Sequence, residues 1–403
     1  MAAETSNEPR QKTEGGWPVS PDRVHAMARC WLVAAPVLYA WDLWGQTRKG
    51  LTNGLGRPFG DDFINYWSGA WLAWHGRIAD IYNFEAFHLF ERALSGPDLL
   101  YYHYGYPPVL LVLTAPLALL PYVPGLALWL ISSWYAFYRA LRLAAPEMAL
   151  LLSLASPALL VNALGGQNGA WSAALLGGGL MLLDRRPIVA GVLFGLLVYK
   201  PHLGLLLPLA LLAGRRWSAF ISATISVIGL VGVSLLLFGR APWLTYAGNL
   251  EVLKHFILED GTGVWHRMMS VFVMARHFGF SVDASYIAQA ISALIAAAVV
   301  AWSWWRDDRM EIRYGLLVLG TCLVTPYLQD YDLVVGAFVA VWLLTLQRQG
   351  LMSRPVTQLA MASILLWPLV NATIGKVTGF ALGPLVIAPL FVLLARVKTE
   401  RAP

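Results

Sequence analysis

Tyr106-Pro107-Pro108-Val109-Leu110-Leu111-Val112-Leu113-Thr114-Ala115-Pro116-Leu117-Ala118-Leu119-Leu120-Pro121 is the stretch on which the topology turns. It is apolar, but its prolines open, interrupt and close it. That leaves barely enough length to cross a bilayer, which takes about 20 apolar residues in a helix. Around it the chain is a succession of apolar runs, near 28–45, 124–143, 147–163, 170–184, 186–199, 203–214, 218–238, 284–305, 313–327, 331–347, 355–372 and 378–396. The 403 residues are 58% apolar and 13% charged, where a soluble domain carries about 25% charged residues. The reading is an all-α polytopic membrane protein.

Charge decides whether 107–120 crosses. If it turns back, the basic loops Arg139/Arg142, Arg185/Arg186, Arg215/Arg216, Arg306/Arg309/Arg313, Arg348/Arg354 and Arg396/Lys398/Arg401 share one face with Arg10, Lys12, Arg23 and Arg29. The short loops opposite hold only Lys200 and Lys376. A full crossing would put all the later clusters outside, against the positive-inside rule. The expectation is therefore about twelve spans with both termini cytoplasmic. Residues 1–27 form a tail before a retained first span, 28–396 a single membrane domain, and 397–403 a second tail. Two long outer segments result, about 46–106 and 239–283. Basic residues paired between apolar runs are topology signals and not a nucleic-acid stripe. Cys30 and Cys322 are far apart, and the histidines have no ligand spacing, so neither a disulfide framework, a metal nor another cofactor is expected.

The first outer segment carries Asp61-Asp62-Phe63-Ile64-Asn65-Tyr66-Trp67 and continues to Gly76, with Trp67, Trp71 and Trp74 on one helical face. An indole face opened by a capping aspartate suits an interfacial anchor. An unpaired carboxylate at the edge of a hydrophobic bundle also suits a general base, and the pattern alone leaves both open. Three polar breaks fall on the same outer face: Gly165-Gly166-Gln167-Asn168-Gly169, Lys200-Pro201-His202, and Thr325-Pro326-Tyr327-Leu328-Gln329-Asp330-Tyr331-Asp332. Irregular backbone at membrane depth is tolerated where protein buries it or it lines a wet cavity. Singly, these are a tight turn, a lysine snorkelling to headgroups and a pair of helix caps. Together they suggest a cavity, in which Lys200 faces an anionic ligand. Span interiors nearly free of ionisable groups argue against an ion-coupled transporter.

The order Asp-Phe-x-x-Tyr-Trp, Tyr-Pro-Pro, Gly-Gln-Asn-Gly, Lys-Pro-His and Thr-Pro-Tyr before Tyr-Asp resembles glycosyltransferase family 87, over roughly residues 28–350. The resemblance implies polyprenol-phosphate-mannose-dependent mannosyl transfer on a GT-C-like bundle with interfacial helices in the first outer loop. It implies a catalytic aspartate in that loop, which the Asp-x-x-x-Tyr spacing matches to Asp62, with Asp61 as its neighbour. The implied partners are a polyprenyl-phosphate sugar, a glycan or lipid acceptor and the bilayer of the inner or plasma membrane. Inversion needs one base, because a phosphate leaves as an anion without a proton donor. Lys200 is the first candidate to hold that phosphate, with His202 and Arg267 behind it. Asn65, Tyr66, Tyr106, Gln167, Asn168, Tyr327 and Asp332 are candidates for sugar or acceptor hydroxyls. The competing readings are a flippase of lipid-linked sugar, which needs no base, and a lipid-linked glycan polymerase or ligase.

Overall fold

A computed structural model describes residues 21–397. Among them there is no strand, only the isolated bridges Thr52 to Pro58 and Met268 to Gln329. Helix α1 runs Pro21–Gln46, and the first outer segment holds α2 (Phe63–Trp74), α3 (Ile78–Ile81) and α4 (Phe84–Ser95). Then come α5 (Val109–Leu113), α6 (Tyr122–Ala144), α7 (Ala149–Ala155), α8 (Pro157–Leu164), α9 (Gly169–Leu182) and α10 (Pro187–Leu196). Next are α11 (Leu207–Ala213), α12 (Trp217–Phe238), α13 (Ala241–Leu253), α14 (Val271–His277) and α15 (Val282–Trp305). The chain closes with α16 (Met310–Val324), α17 (Gly336–Arg348), α18 (Arg354–Thr378) and α19 (Pro384–Ala395).

Every apolar run read from the sequence falls on helix. Among the described residues, four helices are long and apolar enough to cross a membrane: Trp217–Phe238, Val282–Trp305, Asp330–Arg348 and Arg354–Thr378. Others are short or broken. The run 170–184 becomes a helix of 14 residues, 313–327 one of 15 and 378–396 one of 12. The run 147–163 is cut between α7 and α8 at Ser156-Pro157, because Pro157 has no N–H to continue the ladder. The exterior is apolar: Ile221, Ile225, Ile228 and Leu236 of α12 are all exposed, as a lipid-facing helix requires. The tails 1–20 and 398–403 lie outside the described residues.

The 106–121 stretch folds as two short pieces. Helix α5 ends at Thr114, whose hydroxyl donates to the Leu110 carbonyl, and a 3-10 turn follows over Ala115–Leu119. Five residues at helical rise and five at 3-10 rise span roughly 17 Å, well short of a hydrocarbon core of about 30 Å.

This stretch packs on α2 and gives two of its indoles protein partners. Trp67 is buried and donates to the Leu120 carbonyl at 3.0 Å, and Trp74 donates to the Leu111 carbonyl at 3.2 Å. Trp71 stacks on His75 and Phe90. Two of the three indoles thus bind carbonyls left open by the proline-broken segment, while Trp74 stays 44% exposed. Ten of the 12 residues of α2 are buried, in a cluster with Tyr122, Leu126 and Trp129 of α6. A second, larger cluster joins α9, α16 and α17 through Phe338, Trp342, Tyr314 and Phe137.

The loop before α9 seats against the turn before α2 only because position 166 lacks a side chain. Gly166 has φ +57°, and a Cβ there would lie 2.1 Å from the Gly60 carbonyl oxygen. Gly166→Ala is expected to lower the thermal unfolding midpoint in detergent, with at least about 1–3 kcal/mol lost to strain. Gly229→Ala on α12, where a Cβ meets nothing within 4 Å, serves as the control and should leave the midpoint unchanged or slightly raised.

Candidate active site

The turn Gly60-Asp61-Asp62 enters α2 with Asp61 in the left-handed region at φ +52°, which aspartate tolerates better than most residues. Asp62 occupies the N-cap, yet its side chain makes no cap hydrogen bond. The first N–H groups are satisfied by backbone: Phe63 donates to Gly60, Ile64 to Asp61 and Asn65 to Asp62, each at 3.1 Å. The expectation that one aspartate caps the helix is therefore corrected, and both carboxylates are free for other partners.

Those partners differ. Arg57 Nε and the Tyr102 hydroxyl each donate to the Asp61 carboxylate at 2.8 Å. The same guanidinium donates to Asp42 of α1 and to the Leu164 carbonyl at the end of α8, each at 2.8 Å. Gln46 completes the frame, donating to Asp42 at 2.6 Å and accepting from the Gly60 N–H at 2.7 Å. Asp61 is thus a structural anion. Asp62 receives one side-chain hydrogen bond, from the Gln167 amide, and its own N–H donates to the Gly165 carbonyl at 3.2 Å.

From Gln167 a chain of side chains runs inward. The Tyr66 hydroxyl donates to Gln167 Oε1 at 3.3 Å and lies 2.9 Å from the Tyr106 hydroxyl. Asn168 Nδ2 donates to the Tyr106 hydroxyl at 3.1 Å, and Lys200 Nζ donates to Asn168 Oδ1 at 3.0 Å. Lys200 also pairs with Asp332, whose second oxygen accepts from the Gln329 N–H at 3.1 Å. With Tyr66 committed to Gln167, Tyr106 must donate to Tyr66, so every bond in the chain points its proton toward Asp62. Such a series polarises each member in the same sense. Gly169 allows the packing, since a Cβ there would lie 2.1 Å from the Tyr331 carbonyl oxygen. A void of about 10 Å³ beside Asp332, Thr321 and Cys322 has room for about one water.

Two cations lie on the Tyr331 ring, Lys200 at 4.6 Å and Arg267 at 5.4 Å from its centroid. They are differently committed. Lys200 is 3% exposed and holds Asp332 and Asn168. Arg267 pairs with Asp330 through Nε and Nη2, while Nη1 makes no hydrogen bond among the described residues and lies on the Gly165 side of the site. Its turn is held by Asn371, which donates to the Arg267 carbonyl at 3.1 Å. Burial, then the Asp61 charge, push the Asp62 carboxyl up to about 7, against the opposing pulls of Arg267, Gln167 and Arg57. Glu91 of α4 is buried with neither oxygen bonded, and burial, then the Asp62 charge, hold its carboxyl well above the usual range.

Of the residues singled out from sequence, Asp62, Tyr66, Tyr106, Gln167, Asn168, Lys200 and Asp332 join one network, with Asp61 and Arg267 at its rim. Three do not join it. Asn65 is buried with an unpaired Oδ1, His202 has a buried, unpaired Nε2, and Tyr327 meets the His202 ring edge-on at 6.0 Å. Arg57, Tyr102 and Tyr331 were missed. Arg57 is one of five cations in the first outer segment, with Arg48, Lys49, Arg77 and Arg92, so charge alone did not single it out, and Tyr331 stood in the Tyr-Asp motif without being given a role. No group of three His, Cys, Asp or Glu is placed to hold a metal among the described residues.

Removing one partner of a buried ion pair strands the other. Lys200→Met is expected to cost about 3–5 kcal/mol of stability, and Lys200→Met with Asp332→Leu to recover most of it, read as unfolding midpoints. Equal midpoints for Lys200→Met and the wild-type chain would overturn this account of the pair.

No curated protein and no solved structure matches the chain. A family model, glycosyltransferase family 87, matches residues 104–326. The match covers Tyr106, Gln167, Asn168, Lys200, His202 and Arg267, beginning after Asp62 and ending before Tyr327 and Asp332. More than half of the chain is covered, including the inner length of the polar network: it belongs to glycosyltransferase family 87 and is a membrane glycosyltransferase.

Proposed function

We propose that the chain transfers one sugar, mannose or another hexose or pentose, from a polyprenyl-phosphate donor to an acceptor hydroxyl, with inversion and with Asp62 as general base. One observation carries this reading: the directed hydrogen-bond chain ends on the Asp62 carboxyl while Asp61 is saturated by Arg57 and Tyr102. A hydroxyl is a weak nucleophile, so a base must take its proton as its oxygen bonds to the anomeric carbon. A carboxyl titrating near 7 is matched to that task at neutral pH. The bond from the anomeric carbon to the phosphate oxygen breaks with its electron pair on the phosphate. Arg267 takes that charge through its unused Nη1, and Lys200 contributes at longer range through the network. Tyr66, Tyr106 and Asn168 meet sugar hydroxyls, with Asn65, Gln167, Tyr327 and Asp332 around them.

The distribution of basic loops supports about twelve crossings with the site on the extracytoplasmic face, and the setting of this reading is the plasma or inner membrane. The acceptor is a glycan or a lipid, and the polyprenyl tail lies between spans on the apolar exterior.

Asp62→Asn is expected to lower release of polyprenyl phosphate from a polyprenyl-phosphate sugar by about 10²-fold or more, with Asp61→Asn retaining measurable turnover. Full turnover in Asp62→Asn would defeat the mechanism and favour the flippase, which needs no base.

The base must be deprotonated, so kcat/KM should rise with pH through about 7 and then level off. Gln167→Ala removes a bond that holds the carboxyl down, so its rise should move to higher pH. A profile flat from pH 5 to 8 would exclude Asp62 as the titrating group.

A further inference from the structure

At the end of the bundle away from Asp62 lies a pocket of about 290 Å³, near the lower end of the range for small-ligand sites, roughly 300 Å³. Two helices show that it is remote. Helix α6 begins at Tyr122, whose hydroxyl donates to the Phe59 carbonyl beside the catalytic turn, and the pocket lies at its other end, about 33 Å along the axis. Helix α17 follows directly on the 3-10 turn that carries Asp330 and Asp332, and its last residue, Arg348, lines the pocket. The pocket is therefore on the membrane face opposite the site.

Its chemistry is two-part. Leu152, Val341, Leu344 and Met361 form an apolar wall between α7, α17 and α18, and Glu147 and Arg348 stand at the rim. Both rim residues are exposed and form no ion pair or hydrogen bond among the described residues. Within two residues of lining positions in the chain, Leu143, Leu150 and Leu359 are 46%, 51% and 71% exposed, so the surface beside the pocket is apolar, as a hydrocarbon-facing surface requires. A cytosolic metabolite or free anion has no use for that surface. A donor tail anchored at the far face does not account for a rim with one cation and one anion.

We infer that this pocket holds a phospholipid of the leaflet opposite the active site, with an acyl segment on the apolar wall, its phosphate at Arg348 and a primary ammonium at Glu147. That pairing is the headgroup of a phosphatidylethanolamine. One charge of each sign selects a zwitterion with a donor amine over an anionic lipid, and over a choline headgroup that has no N–H to donate.

The test is native mass spectrometry of the full chain in detergent, titrated separately with phosphatidylethanolamine, phosphatidylcholine, phosphatidylglycerol, polyprenyl phosphate and inorganic phosphate. Phosphatidylethanolamine should bind most tightly. Arg348→Ala should weaken it about fivefold. Glu147→Gln should erase the preference over phosphatidylcholine, and Leu344→Trp should abolish retention by filling the pocket. Unfolding midpoints of Arg348→Ala and Glu147→Gln serve as folding controls, since both residues are exposed. Retention that is equal in all variants overturns the proposal. So does a preference for phosphatidylglycerol, for polyprenyl phosphate displaced by Leu344→Trp, or for inorganic phosphate alone. None of these readouts depends on glycosyl transfer.

Discussion

The ion pair between Arg57 and Asp61 governs what the neighbouring carboxylate is free to do. Two adjacent carboxylates raise one another's affinity for a proton, and burial raises it further. Arg57 and Tyr102 take up both oxygens of Asp61 and fix its carboxylate in place. Asp62, one residue on, meets only the Gln167 amide and feels the fixed charge as a neighbour. The same guanidinium binds α1 through Asp42 and α8 through the Leu164 carbonyl. It therefore sets the position of the Asp61-Asp62 turn as well as its electrostatics.

The rest of the site follows from how closely two backbones approach. Gly166 lies against Gly60 and Gly169 against Tyr331, so the loop between α8 and α9 reaches Asp62 and Lys200 with consecutive side chains, Gln167 and Asn168. A hydrogen-bond chain across a low-dielectric interior is costly when any member is unpaired. Its inner end is closed by the Lys200–Asp332 pair, which contributes less net stability than its geometry suggests, because both ions are desolvated. What the pair secures is the orientation of Asn168, and through it the sense of the whole chain.

Short and broken helices are the structural counterpart of this site. Helices of 12 to 15 residues and the proline-cut 106–121 stretch leave carbonyls that lipid cannot satisfy. The indoles of α2 satisfy two of them, and the frame around Arg57 satisfies another. The long, uniformly apolar α12 faces outward, where no such repair is available or required.

The helical membrane class, the breaks at 165–169, 200–202 and 325–332, and the candidacy of Asp62, Gln167, Asn168, Lys200 and Asp332 were legible in the sequence. Hydropathy, proline and glycine act on neighbours along the chain, and the motif order supplied the family. The division of labour was not legible: Asp61 held at both oxygens by Arg57 and Tyr102, Arg267 with a nitrogen unused among the described residues where Lys200 has none, and two indoles of α2 bonded to carbonyls. These depend on contacts between residues 37, 41, 53, 63 and 132 positions apart in the chain. A local pattern marks a side chain as polar or aromatic, but only the packed structure decides which partner reaches it first and so what that side chain is left free to do.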